Sequence, residues 1–356
     1  MEEKKLNNSE ILFLYDAKEC NPNGDPDNEN KPRMDLQKER LLVSDVRLKR
    51  YIRDYFQNIK NSPVFVSKVD DKTVDATDKF AYFIAELLLK KENSQITKEH
   101  KKEVFEEFNK DKDFKDKKLT KENLKDFIKG KAKWDIISTD VFLSYFVDIR
   151  LFGVTLPIKD PQRGRSITFT GPVQFNWGYS LNKAELIESP SITSHFAGRT
   201  KGEGDEGGAI GKDWRIYYSI IAFYGRISAL LGQKTSLTKG DIEKLDEAVW
   251  DSIITETNTR TKLNQHPRLY IRIEYKDNQR FVGDLRRYVD IDKKEGLRDV
   301  GEYKIDISKL KDKIEKYKNN ISKIIIKTDD DIRNSITGIN DLETLSNEVE
   351  KDGNDR

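Results

Sequence analysis

The sequence is poor in the residues that most often build reactive centres. Cysteine occurs once in 356 residues, at Cys20, so no intrachain disulfide can form and no thiolate cage can hold a metal. A reduced, cytoplasmic setting is the expectation. Histidine occurs three times, at His100, His195 and His266, on unrelated segments and never at metal-ligand spacing to another histidine or to Cys20. His195 on a loop and His266 before Pro267 read as surface or hydrogen-bonded histidines rather than bases. The chain has no Gly-x-Ser-x-Gly elbow for a nucleophilic serine. No apolar run approaches the ~18–20 residues that cross a bilayer, and the opening MEEKKLNNSE does not read as a secretory signal, so no membrane partner is expected. An excess of charge of one sign is also missing. With a net charge of +2, any nucleic-acid binding must come from a local basic face rather than from the global field.

What the chain has in quantity is charge and aromatic rings. Charged residues make up 36% and hydrophobic residues 36%, with 17 phenylalanines and 14 tyrosines to fill a core. Length permits one domain with insertions, which we expect to run over 1–356.

The most informative stretch is Tyr15 to Tyr55. An apolar run, Ile11 to Tyr15, feeds a polar loop (CNPNGDPDNENKPR) with three prolines and one glycine. Residues that fix φ near −65° or accept positive φ, packed this densely, set one loop shape rather than a flexible linker. Ser44 and Asp45 then read as a helix start whose positive dipole end faces the loop, and Arg47, Lys49, Arg50 and Arg53 follow within three turns. A shaped loop, a helix N-terminus and clustered cations make a phosphate-backbone site; a capped surface helix with solvated charges is the alternative.

Along the rest of the chain, Leu48, Ile52, Tyr55 (or Phe56) and Ile59 give the helix its apolar stripe. A short strand is expected over 64–69 and a buried helix over 79–89. Residues 98–133 hold 13 lysines against 9 acids and read as a helical, mostly solvated insertion, part of a helical region over 70–160. The block RGRSITFTGPVQFNWGYSLN places Ile167, Phe169, Val173, Phe175 and Trp177 two apart, with a slip at Gly171-Pro172. Gln174 and Asn176, with Arg163 and Arg165 upstream, lie on the other face, as a nucleic-acid groove or an ordinary half-exposed strand allows. Residues 198–211 hold six glycines. Gly202-x-Gly204-x-x-Gly207 matches a dinucleotide fingerprint only as text, because no apolar strand precedes it and Glu203, Asp205 and Glu206 repel a pyrophosphate. Gly211-Lys212 fails as a P-loop for want of the first glycine and the Ser or Thr. Strand 214–224, helix 240–257 and an alternating strand, 268–275, follow. In the last of these Leu269, Ile271 and Ile273 are expected inside, and Arg268, Tyr270, Arg272 and Glu274 in water. An αβ-like piece spans 307–326. The last sixteen residues, with six acids and two bases, are expected to fray as an acidic tail.

The element order βαββαβ is that of split-βαβ folds, an α+β class. The one enzymatic candidate is the carboxylate set Asp25, Asp27, Glu29 and Asp35, which could hold Mg²⁺ for phosphodiester cleavage. The same acids serve equally as turn residues, because Asp and Asn side chains bond their own backbone.

The runs CNPNGDPDNENKPRMD and LVSDVRLKRYIRDYF, followed in order by RLFGVTLP, TGPVQFNWGYSLN, GKDWRIYYSIIAFYG, LDEAVWDSI and PRLYIRIEY, resemble the CRISPR Cas-seven family. That family is the repeated backbone subunit of type I Cascade, and the wording is nearest its I-B branch. The resemblance implies an RNA-recognition-motif-like palm with an inserted finger and a thumb loop at about 190–213, followed by a C-terminal extension over 276–356. It implies a non-catalytic subunit without cofactor, stacked with copies of itself and other Cascade subunits along CRISPR RNA, whose bases stay free for target DNA. The implied RNA-contacting residues are Asn21, Asn23, Gly24, Asp25 and Arg33 in the first loop, with Ser44, Arg47, Lys49 and Arg50 at the basic helix. Arg163, Arg165, Gln174, Asn176, Arg199, Lys212 and Arg268 complete the set. The glycine loop is more acidic than a direct phosphate clamp requires, so Lys201 is not among them. Some relatives cut RNA with an aspartate, so Asp25 or Asp27 remains the alternative site, for a metal-dependent RNA endonuclease.

Overall fold

A computed structural model describes residues 6–69, 72–90, 95–159, 166–187, 191–197 and 208–354. In chain order the principal elements are β1 (Ser9–Cys20), β2 (Met34–Asp35), β3 (Arg40–Val43), α1 (Asp45–Asn58), α2 (Ala76–Leu89), α3 (Lys98–Lys110), α4 (Lys121–Gly130), α5 (Thr139–Tyr145) and α6 (Val147–Phe152). Then come β4 (Gly153–Lys159), β5 (Ser166–Thr170), β6 (Val173–Phe175), β7 (Gly178–Ser180), β8 (Ile216–Ile227), α7 (Lys239–Thr255), β9 (Gln265–Tyr275), α8 (Ser308–Glu315), β10 (Ile321–Thr328) and α9 (Ile339–Asn354). The chain forms two compact units. Met1–Tyr55, Val173–Ala229 and Ile242–Arg356 make the first; Phe56–Pro172 and Leu230–Asp241 make the second.

The first unit is built on an antiparallel sheet in the order β10-β9-β1-β8-β7-β3-β2, with β6 also paired to β8. The unbroken apolar run of β1 is what a central strand covered on both faces requires, and Ile11, Leu12, Phe13 and Leu14 are fully buried. Leu12 faces Tyr224 of β8 on one side and Ile271 of β9 on the other. Helix α7 buries the expected stripe of Ile242, Leu245, Ala248, Val249 and Ile253.

The polar face of β9 is not wet. Arg268, Tyr270 and Arg272 are all buried, because acids from other elements reach them. Asp246 of α7 accepts from Arg272 Nε at 2.7 Å and Nη2 at 2.9 Å, and from the Tyr270 hydroxyl. Asp16 of β1 accepts from Arg268 Nε at 2.8 Å. The expected acidic tail is instead helix α9, which buries Leu342, Leu345 and Val349 and leaves Asp341, Glu348 and Glu350 outside. Three apolar residues at helical spacing outweigh the charge.

The second unit has an aromatic core in which the rings of Phe65, Phe80, Phe83, Phe142 and Phe146 pack at 4.7–6.2 Å between centroids. Its helices start on side-chain caps: Asp75, Thr97, Thr120 and Ser138 each accept from the amide three residues on. The lysine-rich insertion contributes Val104, Phe108, Leu124, Phe127 and Ile128 to this same core, so it is more than a solvated surface. No strand forms over 64–69, because the buried Asp148 carboxylate takes the Phe65 and Val66 amides at 2.8 and 3.1 Å. The stretch 167–177 is likewise two strands: β5 pairs with β4 in this unit, whereas β6 pairs with β8 in the first. The break falls at Gly171, where an added Cβ would lie 2.1 Å from the Phe152 carbonyl carbon. Among the described residues no helix is long and apolar enough to cross a membrane.

Candidate nucleic-acid interface

The loop after β1 is closed on itself by its asparagines. Asn21 Nδ2 donates to the Asn30 carbonyl at 2.7 Å, and the Asn30 amide donates to the Asp25 carbonyl at 2.8 Å. Glu29 and Asn30 adopt left-handed φ of 50° and 58° to make the turn. Gly24 is required by close approach, since a Cβ there would sit 2.9 Å from Asn30 O. The loop is then tied to α1. Asn23 Oδ1 accepts from the Ser44 amide (2.8 Å) and hydroxyl (3.0 Å), while Ser44 Oγ caps the helix by accepting from the Arg47 amide at 3.2 Å.

This arrangement opens a cavity of about 390 Å³ within the first unit. One wall is Asn21, Asn23, Gly24 and Asn30, with Arg47 from α1; Lys212, Asp213, Trp214, Thr261 and Lys262 complete it. Five of the sequence-predicted residues therefore share one site: Asn21, Asn23, Gly24, Arg47 and Lys212. The charges in it are unevenly matched. Burial, then the neighbouring Arg47, pulls the Lys262 ammonium down to about 8. It donates to the Asn21 carbonyl. Burial works to raise Asp213, but hydrogen bonds from Arg215 and Arg260 outweigh it and hold the carboxyl below its usual range. Lys212 meets Glu29 at 2.7 Å in an exposed pair worth little. Beneath the site, burial pushes the Cys20 thiol up to about 12.

The other predicted residues are dispersed. Arg33 Nη2 lies 3.0 Å from Asp25 Oδ1, an ion pair off the hydrogen-bond angle, and the guanidinium sits 5.9 Å from the ring of the half-exposed Trp177. Gln174 and Asn176 are exposed, with Gln174 Oε1 accepting from Lys49 Nζ at 3.4 Å. Lys49 and Arg50 also pair along the helix with Asp45 and Asp54. Arg268 is buried and bonded to Asp16 and Asp329, which takes it away from any surface. Arg163, Arg165, Arg199 and Lys201 lie outside the described residues; the strands that flank the glycine loop, Ser191–Ala197 and Gly208–Lys212, pair antiparallel.

The acids do not converge. Asp25 faces Arg33, Glu29 faces Lys212, and Asp35 accepts from the Gln37 and Lys38 amides. Among the described residues no three His, Cys, Asp or Glu side chains group as a metal site. Trp214, Thr261 and Lys262 were missed by sequence reasoning. Trp214 reads as the start of a strand that begins at Ile216, and Lys262 stands in a Thr- and Asn-rich turn with nothing local to single it out.

Comparison with known proteins is consistent over nearly the whole chain. A family model described as "CRISPR-associated protein Cas7" matches residues 7–308. A protein of Haloferax volcanii with the same description is 31% identical over 337 residues, covering 89% of this chain and 85% of that one. Among solved structures, a chain of a "CRISPR RNA-guided surveillance complex, pre-nicking" is 15% identical with a TM-score of 0.45, covering 88% of this chain and 89% of its own. A chain of a "CRISPR RNA-guided surveillance complex" is 15% identical at 0.42, covering 91% and 92%. The chain belongs to the Cas7 family of CRISPR-associated proteins.

Proposed function

We propose that the chain is a non-catalytic subunit that binds CRISPR RNA through its sugar-phosphate backbone in a type I Cascade complex, of the I-B kind. The observation that carries the proposal is the cavity where the ordered Asn21–Asn30 loop meets Arg47, Lys212 and Lys262. Cations, amides and asparagine side chains hold a backbone without reading bases, which is the division of labour in RNA-guided recognition. The strand order β9-β1-β8-β6, with α1 after the first strand and α7 after the third, supports reading the sheet as an RNA-recognition-motif-like palm. The helical insertion over 70–160 then corresponds to the finger, and the hairpin at about 190–213 to the thumb. Copies of the chain stack along the guide in the cytoplasm beside other Cascade subunits and present its bases to target DNA in antiviral defence.

The test is incubation of labelled single-stranded RNA with the full chain, with Mg²⁺ and with EDTA. Binding without product in both is expected, and Arg47→Ala should weaken it for every sequence and flatten the salt slope by about 0.7. EDTA-sensitive cuts that vanish in Asp25→Ala or Asp27→Ala would establish the endonuclease instead.

A further inference from the structure

The fold leaves the Trp177 indole largely out of the core: it is 46% exposed, whereas a tryptophan normally spends most of its surface on packing. That exposure is not slack in the chain. Before it, the Asn176 amide donates to the Tyr224 carbonyl of β8 at 2.9 Å. After it, Gly178 lies so close to the buried Phe223 that an added Cβ would sit 2.4 Å from the ring. The Trp177 carbonyl itself accepts from Nη1 of the buried Arg286 at 2.7 Å. A backbone held at three consecutive residues presents the side chain from one fixed place.

The surroundings of the ring suit a nucleobase better than a protein partner. The Arg33 guanidinium lies 5.9 Å from the Trp177 centroid, and Tyr179, two residues on, has Arg40 at 5.2 Å and Arg286 at 4.3 Å. Arg33 and Arg286 are paired with Asp25 and Asp284, so they supply planar faces beside the rings more than net charge. A tryptophan that anchors a protein interface is ringed by contacts that shut out water, but the exposed neighbours of Trp177 in sequence are the polar Gln174 and Asn176. Aromatic rings interleaved with arginines are what single-stranded nucleic acid stacks on, because every base has a face to offer. Charge for the phosphates lies next to the ring. The Arg33 amide donates to the Asn23 carbonyl at 3.1 Å, and Asn23 lines the cavity that holds Arg47 and Lys262.

We propose that Trp177 stacks on a base of the RNA whose backbone the neighbouring cavity holds, with the Arg33 guanidinium beside it. The inference rests on the RNA-binding reading above and extends it from the backbone to a base. Stacking engages the face of the base and leaves its pairing edge free. The ring therefore orients the base without reading its identity and without taking it from a complementary strand.

The experiment measures fluorescence anisotropy of the full chain with two labelled oligomers of equal length, one a single-stranded RNA and one a ribose-phosphate chain whose sugars carry no base. RNA should bind about tenfold tighter than the base-less oligomer, the scale of one stacked base. Trp177→Ala should weaken RNA binding, leave the base-less oligomer unchanged and narrow the ratio to about twofold or less. Trp177→Phe keeps a ring and should retain most of the preference. Equal affinity of the native chain for the two oligomers overturns the inference while the RNA-binding reading stands, as does a ratio unchanged in Trp177→Ala. Loss of RNA-free self-association in Trp177→Ala, with the ratio intact, assigns the ring to a protein surface and overturns it too. No binding of either oligomer at low salt removes the underlying reading and the inference with it.

Discussion

Lys262 is the residue whose chemistry is least like that of a surface cation. Burial and the facing Arg47 bring its ammonium to about 8, against the ordinary lysine value near 10.5, while the adjacent Cys20 thiol stays protonated. Because the folded pKa is depressed, the cost of holding this charge is fully present below about pH 8 and is relieved as pH rises toward the unfolded value. A bound phosphate reverses the balance by favouring the charged form, so binding takes up a proton above about pH 8. RNA affinity should therefore fall between pH 7 and pH 9.5 in titrations at constant salt, and Lys262→Arg should abolish most of that fall. A flat profile in the native chain would show that no phosphate reaches this ammonium. At this scale sequence and structure agree best where function is local. Asn21, Asn23, Gly24 and Ser44 were legible because their roles, turn and cap, act within a few residues of themselves. Trp214, Thr261 and Lys262 were not, because they reach the cavity only through the pairing of β1 with β8 and β9.

The elements show where periodicity informs and where it misleads. Strand β1 and helices α1 and α7 follow their apolar patterns, although Ile59 falls past the end of α1 and is about half exposed. Alternation in β9 identified the strand but misassigned its polar face, since only the folded chain brings Asp246 and Asp16 to Arg272 and Arg268. A buried ion pair of this kind adds little in itself, yet loss of one partner strands the other. Asp246→Ala should cost about 3–5 kcal/mol in urea denaturation, with Asp246→Asn milder because it keeps the shape and an acceptor. A loss below about 1 kcal/mol would mean that Glu274 and Ser9, 3.1 and 3.2 Å from Arg272 Nη1, suffice as its partners. The Gly171-Pro172 slip marked a real break, but no local feature told that β5 and β6 enter different sheets. Nor did sequence tie 230–241 to the second unit, where Asp241 accepts from Arg150 Nε at 2.9 Å and Nη2 at 2.8 Å.

For the whole molecule, the meaning of the small net charge of +2 lies in placement. Among the described residues several lysines are answered by nearby acids, as in the pairs of Lys129 with Asp78 and Lys311 with Glu315. The loop cavity is different: Arg47 and Lys262 meet there with an asparagine wall. Membership of the Cas7 family and this local imbalance are what the proposal of a backbone-binding RNA subunit rests on. The direct measurement is size-exclusion chromatography of the purified chain with absorbance at 260 and 280 nm, before and after nuclease treatment and after adding single-stranded RNA. The account predicts a large, RNA-rich species that collapses with nuclease and re-forms with RNA; a clean monomer indifferent to RNA at low salt would contradict it.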